Sequence, residues 1–159
     1  MIELFDNIIN EQYKSLVFTK SGSIICGTCY GMQVAQIRYN NAKLQVELLP
    51  TVITDHIIID FYIDDIIGFL KSIDKNIANK SYDYVIEQTK EETNSEITRF
   101  DDKQTFVVDL YRSIWSRFIG RPINTYTVDI SSGVIESLDG EERYVVKPIT
   151  MIPKFLKAI

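Results

Sequence analysis

Side chains that titrate or coordinate metals near neutral pH are scarce in this sequence. It contains one histidine, His56, and two cysteines, Cys26 and Cys29. A Gly-rich phosphate loop, a nucleophile elbow, a His-x-x-x-His pair and a second cysteine pair are all missing. Most catalytic and metal-binding arrangements draw on such groups. The sequence therefore favours a binding protein over an enzyme, and it predicts no cofactor.

Long apolar runs are missing as well. The longest apolar-rich stretch, residues 57–70, contains Asp60, Asp64 and Asp65 and is too short and too charged to span a bilayer. The first residues carry acid where a signal peptide would carry base. These features predict a cytoplasmic protein without a membrane partner, in a compartment that keeps both cysteines reduced.

Acidic residues outnumber basic ones in this sequence. The 159 residues carry a formal net charge of −5. Duplex nucleic acid is bound through Lys and Arg side chains, so this balance argues against nucleic acid as a partner. It favours a basic protein partner, because opposite potentials accelerate encounter. A modest negative charge also keeps soluble proteins apart, so the charge alone does not decide.

The spacing of apolar residues predicts one α+β domain over residues 1–159, with antiparallel sheets. Helical spacing predicts an N-terminal helix that starts at Ile2 and ends near Leu16. Alternating or β-branched segments predict strands at residues 23–30, 32–39, 44–48, 125–130, 134–138 and 143–147. The last three strands are separated by turn residues and form a C-terminal three-strand meander.

A broad apolar face predicts one long core helix at about residues 103–119. Its members recur at helical spacing and are Phe106, Val107, Leu110, Tyr111, Ile114, Trp115 and Phe118. Asp102 could cap its start, and Gly120 with Pro122 could end it. Trp115 is then expected to anchor the core.

Residues 56–64 allow two interpretations, a strand or a helix. A helix is possible because one helical stripe would contain His56, Asp60, Asp64, Gly68 and Lys71. The alternation and β-branched density of residues 56–64 favour a strand to about Ile63, followed by a helix from an Asp64 cap to Ile73. On that strand His56, Asp60 and Asp64 share a face, which makes them the candidates for a metal or acid–base site. A solvated strand face explains them more simply, because no second His or basic cluster accompanies them. The sequence therefore predicts no metal.

Two further patterns have simple structural explanations. Cys26 and Cys29 lie in a segment with strand character, whereas a redox pair sits at a helix N-terminus, so two reduced thiols are the preferred interpretation and a redox role stays open. Arg117 and Arg121 are spaced to bind one phosphate, but together with Arg112 they also fit the polar face of the expected helix.

Acidic residues concentrate in one stretch. Residues 83–102 contain seven acids and two bases, so their net charge equals that of the whole chain. Apolar residues vanish around 89–96, which predicts an exposed loop or a solvated helix face. Tyrosine is enriched at interfaces, although it also packs at strand edges. The predicted partner-binding residues are Tyr82, Tyr84, Glu87, Glu91, Glu92 and Glu96.

These observations favour a non-enzymatic, acidic protein-binding protein. We expect an inhibitor or immunity-type protein that neutralises a basic partner such as a nuclease toxin. One alternative is a small metal-dependent or nucleotide-handling enzyme that uses His56, Asp60 and Asp64. The other is a structural or homodimeric subunit. The frequent Ile, Asn and Lys suggest a bacterial or phage origin.

Overall fold

The computed structural model describes residues 2–40, 43–62 and 65–159. The chain divides into two compact units, unit 1 up to Lys80 and unit 2 from Ser81. The boundary lies inside a long helix, which contributes its first half to unit 1 and its second half to unit 2. The single domain over residues 1–159 stays a prediction.

Unit 1 is a helix followed by a five-stranded antiparallel sheet and the first half of a second helix. The strands pair in chain order. The elements are α1 (Ile2–Asn10), β1 (Leu16–Ser21), β2 (Ile24–Cys29), β3 (Met32–Asn40), β4 (Lys43–Leu48), β5 (Ile57–Phe61) and α2 (Ile66–Glu92). The three predicted strands and the strand interpretation of residues 57–61 are confirmed. The N-terminal helix is confirmed, but it ends at Asn10, and Leu16 begins strand β1.

Alternating side chains explain why these segments form strands. On β4, Leu44, Val46 and Leu48 are buried, while Gln45 and Glu47 are half-buried on the other face. A strand with this period places one set of side chains in the core and the other towards water. β1 and β5 are the two edge strands of this sheet.

A buried carboxylate ties α2 to the start of the sheet in unit 1. Asp74 is only 5% exposed. Its Oδ2 accepts a hydrogen bond from the Lys14 N–H at 2.7 Å. Its Oδ1 accepts from the Ser15 N–H at 2.7 Å, the Ser15 hydroxyl at 2.8 Å and the Leu16 N–H at 2.9 Å. These four donors satisfy a charge whose burial would otherwise be costly.

Helix α2 extends to Glu92, well beyond its predicted end at Ile73. Its buried residues keep helical spacing through to Thr89 and are Ile66, Leu70, Asp74, Ile77, Ala78, Ser81, Tyr82, Val85, Ile86 and Thr89. Three of them are the polar residues Asp74, Ser81 and Thr89. Because a polar residue weakens an apolar pattern, the stripe is hard to recognise in the sequence.

Unit 2 contains the second half of α2 and a second five-stranded antiparallel sheet, again paired in chain order. Its further elements are β6 (Ser95–Arg99), β7 (Thr105–Leu110), α3 (Ile114–Phe118), β8 (Asn124–Asp129), β9 (Val134–Ser137), β10 (Arg143–Val145), a 3₁₀ turn (Ile149–Met151) and α4 (Ile152–Ala158). The α+β class, the antiparallel sheets and the C-terminal meander are confirmed.

The predicted long core helix at residues 103–119 is wrong. Thr105–Leu110 is strand β7, which pairs with β6 on one side and β8 on the other. Phe106, Val108 and Leu110 are buried at a spacing of two. Asp102, the expected helix cap, instead accepts hydrogen bonds from the Thr105 N–H at 3.0 Å and hydroxyl at 2.6 Å in the β6–β7 turn.

The error has a physical reason. The alternating apolar residues of strand β7 are followed closely by the exposed apolar residues of the next loop. Together the two sets imitate the spacing of one apolar helix face. The strand residues face the core, whereas Ile114, Trp115 and Phe118 are exposed. Pairing on both edges of β7 satisfies the backbone of residues 105–110, so tertiary context overrides the helical pattern.

We predict that Asp74→Ala lowers the free energy of unfolding by about 3 kcal/mol or more, because four donors lose their acceptor and several are buried. Asp74→Asn keeps one carbonyl oxygen and should lose less. Urea unfolding followed by circular dichroism measures both. The matched control Asp55→Ala removes an exposed carboxylate and should change stability by less than about 0.5 kcal/mol. Equal stability of Asp74→Ala and Asp55→Ala would contradict this role.

Candidate functional site

The histidine and the aspartate of the candidate metal site contact β4 and do not contact each other. His56 Nε2 lies 2.9 Å from Glu47 Oε2, and the Gln45 side-chain amide donates to Asp60 at 3.4 Å. His56 and Asp60 are exposed and contact neighbouring same-face positions of β4. Asp64 lies outside the described residues. In residues 2–40, 43–62 and 65–159, no three His, Cys, Asp or Glu side chains group as metal ligands. A chemical role for His56 and Asp60 stays a prediction.

The two cysteines lie on β2, as their flanks predicted. Neither is in a disulfide; Cys29 is buried and Cys26 is half-buried. Burial alternates along this strand, so the two side chains lie on opposite faces of the sheet. This is the arrangement of two packing residues.

The predicted partner-binding residues fall on the second half of α2 and on β6. Glu87, Glu91 and Glu96 are exposed, whereas Tyr84 and Glu92 are half-buried. Three of the acids have partners within unit 2. Glu87 pairs with Lys90 at 3.7 Å, Glu92 with Lys157 at 3.4 Å and Glu96 with Arg117 at 3.7 Å. Lys157 and Arg117 lie outside residues 83–102, so they reduce the net charge of this stretch from −5 to −3.

Tyr82 is a core residue and contributes no exposed surface. Its side chain is fully buried, and its ring meets Phe106 edge to face with centroids 6.3 Å apart. Its hydroxyl donates to the Thr105 carbonyl at 2.6 Å and accepts from the Phe100 N–H at 3.1 Å. The ring therefore joins α2 to the β6–β7 hairpin inside unit 2.

The most unusual surface of unit 2 is the connection between β7 and β8, residues 111–123, which we call the aromatic loop. The pair Leu110 and Asn124 closes it, and the Ile123 N–H donates to the Leu110 carbonyl at 2.6 Å. Inside it Ser113 caps the short helix α3 by accepting from the Ser116 N–H at 3.2 Å. No residue of α3 is buried.

Large apolar side chains of the aromatic loop face solvent. Phe118 is 82% exposed, Ile114 77% and Trp115 73%, and Ile119 and Ile123 are each more than half exposed. The rings of Trp115 and Phe118 stack with centroids 6.0 Å apart. At roughly 150–250 Å² for a large side chain, the five together expose on the order of 500 Å² of apolar surface. The largest patch on a typical monomer is about 300–600 Å² and is often functional.

Positive charge accompanies this apolar surface. The loop contains Arg112, Arg117 and Arg121 and no acid, so it carries +3 in a chain of net −5. All three arginines are exposed, and Arg117 is held by Glu96. Burial, followed by the nearby Glu96 and Asp109, raises the pKa of Tyr111 above its ordinary value. The arginines were predicted to be the polar face of a core helix, and that interpretation is wrong because no such helix exists.

An acidic segment lies at the same end of the unit 2 sheet. We call residues 136–143 the acidic hairpin. They comprise the end of β9, the turn that follows it and the first residue of β10. The Leu138 N–H donates to the Thr125 carbonyl at 3.2 Å, next to the start of β8 where the aromatic loop ends. Leu138 itself is 69% exposed. The two segments therefore lie side by side.

Hydrogen bonds fix the acidic hairpin. The Ser137 hydroxyl donates to Asp139 at 2.5 Å and the Glu141 N–H donates at 3.0 Å, and these bonds lower the pKa of Asp139. The Tyr126 hydroxyl donates to Glu142 at 2.7 Å. Burial raises the pKa of Tyr126 to about 12, and this hydrogen bond and the charge of Glu142 contribute further.

Sequence reasoning missed the aromatic loop because it placed Trp115 in the core. Two signals could have found it. Ser113 is a good helix N-cap in the middle of the expected helix. Three arginines interleaved with four large apolar residues do not fit a single buried stripe.

We predict that Trp115→Ala changes the free energy of unfolding by less than about 0.5 kcal/mol, because the side chain is exposed. The matched variant Phe106→Ala removes a fully buried ring from the same unit and should cost about 3–5 kcal/mol. Urea unfolding monitored by circular dichroism compares them. A large loss in Trp115→Ala would mean that the ring packs in the core after all.

We also predict that stability falls as pH rises through the alkaline range. The folded pKa of Tyr126 lies above the unfolded value of about 10. Its contribution is therefore fully present below pH about 10 and is lost as pH rises through about 12. In urea unfolding experiments, the free energy of unfolding of Tyr126→Phe should fall less than that of the wild type between pH about 10 and 12. Identical slopes in Tyr126→Phe and in the wild type would contradict the assignment.

Comparison with known proteins does not assign this chain to a family. No family model, curated protein or solved structure matches this chain. Among the described residues, no helix has the length and apolar character needed to cross a membrane. The chemistry of the aromatic loop and its neighbours therefore carries the functional inference.

Proposed function

We propose that this chain is a non-enzymatic protein-binding protein and that the aromatic loop is its main contact surface. The observation that carries the proposal is the exposure of five large apolar side chains in one segment of 13 residues. Leaving such a surface in water is unfavourable by about 25 cal/mol for each Å². A partner that covers it recovers this free energy on binding.

The composition of the loop fits a protein interface. Trp and Arg are the residues most enriched among binding hot spots, and aromatic residues are enriched in interface cores. A standard interface buries about 800 Å² on each partner. The loop alone supplies more than half of such a surface, and the stacked Trp115 and Phe118 rings form its natural centre.

The geometry also suggests how the loop binds. The β7–β8 pairing fixes both ends of the loop, and the Ser113 cap and the contact between Arg117 and Glu96 hold its helix. A contact surface that is already ordered loses less conformational entropy on binding. Trp115 and Phe118 would enter an apolar pocket, while Arg112 and Arg121 would donate to carboxylates at its rim.

The acidic stretch is a second part of the proposal. Glu87 and Glu91 are exposed on α2 and could attract a basic partner by steering its approach. An inhibitor or immunity-type role follows if the aromatic loop occupies the partner's active-site cleft. The internal ion pairs of Glu87, Glu92 and Glu96 favour the loop over the acidic stretch as the source of binding energy.

We predict that Trp115→Ala with Phe118→Ala abolishes partner binding without loss of fold. A photoreactive benzoylphenylalanine at position 119 should crosslink the partner in the native host, and the crosslinked product should disappear in the double variant. The reason is that truncating a central aromatic hot spot typically costs 2 kcal/mol or more, roughly a thirtyfold loss of affinity.

The matched control is Val17→Ala with Val52→Ala, which truncates two exposed apolar residues of unit 1. It should retain the crosslinked product. Product of equal yield from wild type and from the loop variant would rule out the aromatic loop as the contact surface.

A further inference from the structure

We propose that the partner of the aromatic loop is a second copy of this chain, which rests on the proposed function of that loop. The aromatic loop of one copy packs against the acidic hairpin of the other, and the reverse contact forms at the same time. The interface then has twofold symmetry: both copies use the same combined surface of loop and hairpin, and the contact between loop and hairpin occurs twice.

The first support is the position of the two segments. The aromatic loop ends at Ile123, directly before β8, and the backbone of Leu138 is bonded to Thr125 on that strand. One end of the unit 2 sheet therefore presents both segments side by side. A twofold axis through that end places the loop of each copy opposite the hairpin of the other.

The second support is charge. Residues 111–123 carry +3, and residues 136–143 carry −3, since four acids are opposed only by Arg143. A patch with one cationic half and one anionic half is electrostatically complementary to itself after a twofold rotation. Loop against loop would instead bring six arginines together, which is unfavourable.

The third support is the apolar surface shared by both segments. Leu138 on the acidic hairpin is as exposed as the loop's own apolar residues. Two loops of on the order of 500 Å² each, together with two copies of Leu138, approach the roughly 1,600 Å² of a standard interface. The area is therefore sufficient for a stable dimer.

Other occupants fit less well. An anionic membrane would attract the three arginines, but the rest of the chain carries −8 and would be repelled. A different acidic protein would be attracted by the arginines of the aromatic loop, but it would be repelled by the adjacent acidic hairpin.

The experiment measures the oligomeric state of the full chain by sedimentation equilibrium from micromolar to millimolar concentration. Trp115 is the sole tryptophan, so its fluorescence reports on this surface alone. We expect a monomer–dimer equilibrium and a blue shift of the emission as the dimer forms. A chain that stays monomeric throughout would overturn the proposal.

Charge reversal identifies the contact. Arg112→Glu with Arg121→Glu should weaken the homodimer at least about tenfold, and so should Glu136→Lys with Glu141→Lys. These sites spare Asp139 and Glu142, whose hydrogen bonds hold the hairpin. Mixing the two variants should restore a heterodimer to within about threefold of the wild-type Kd, because both reciprocal contacts again join opposite charges.

The matched control is Asp6→Lys with Asp55→Lys, which reverses two exposed acids of unit 1 and should leave the dimer unchanged. A dimer that is insensitive to both interface variants, or a mixture that stays monomeric, would overturn the proposal. A monomer that still crosslinks another protein through position 119 would overturn the dimer but keep the proposed function. Binding of neutral or anionic phospholipid vesicles that requires Trp115, without any dimer, would overturn both.

Discussion

Unit 1 depends on the buried carboxylate of Asp74. One side chain in the middle of α2 accepts hydrogen bonds from three consecutive residues, Lys14, Ser15 and Leu16, at the point where the chain enters β1. Because a buried charge is tolerated only with such partners, this contact fixes both the position of the first strand and the register of the helix. The same helix continues to Glu92 and supplies Tyr82 to the core of unit 2.

The aromatic loop follows a different physical rule. Its ends are fixed by sheet pairing, but no residue of its short helix is buried against its own unit. Its apolar side chains are consequently directed outward, next to an acidic hairpin of opposite charge. The local order comes from a cap, a ring stack and one ion pair. A surface that is ordered yet uncovered is well suited to binding, because little order has to be gained on association.

Much of the fold could be predicted, and little of the site. Alternation or a high content of β-branched residues located β2, β3, β4, β8 and β9 within a few residues. The extent of α2 was missed because Asp74, Ser81 and Thr89 occupy its buried stripe. The acidic stretch was recognised from composition, but composition does not show that Glu96 reaches Arg117 or that Tyr82 is buried.

The α+β class, the antiparallel strands and the lack of familiar catalytic motifs follow from local periodicity and residue type, so the sequence alone is enough to predict them. Residues 105–118 are different, because one helix and a strand followed by an exposed loop satisfy the same apolar spacing over a few turns. Strand pairing with β6 and β8, which lie outside this segment, selects the strand. For that reason the burial of Trp115 cannot be read from the residues around it: exposure depends on what the rest of the chain leaves uncovered.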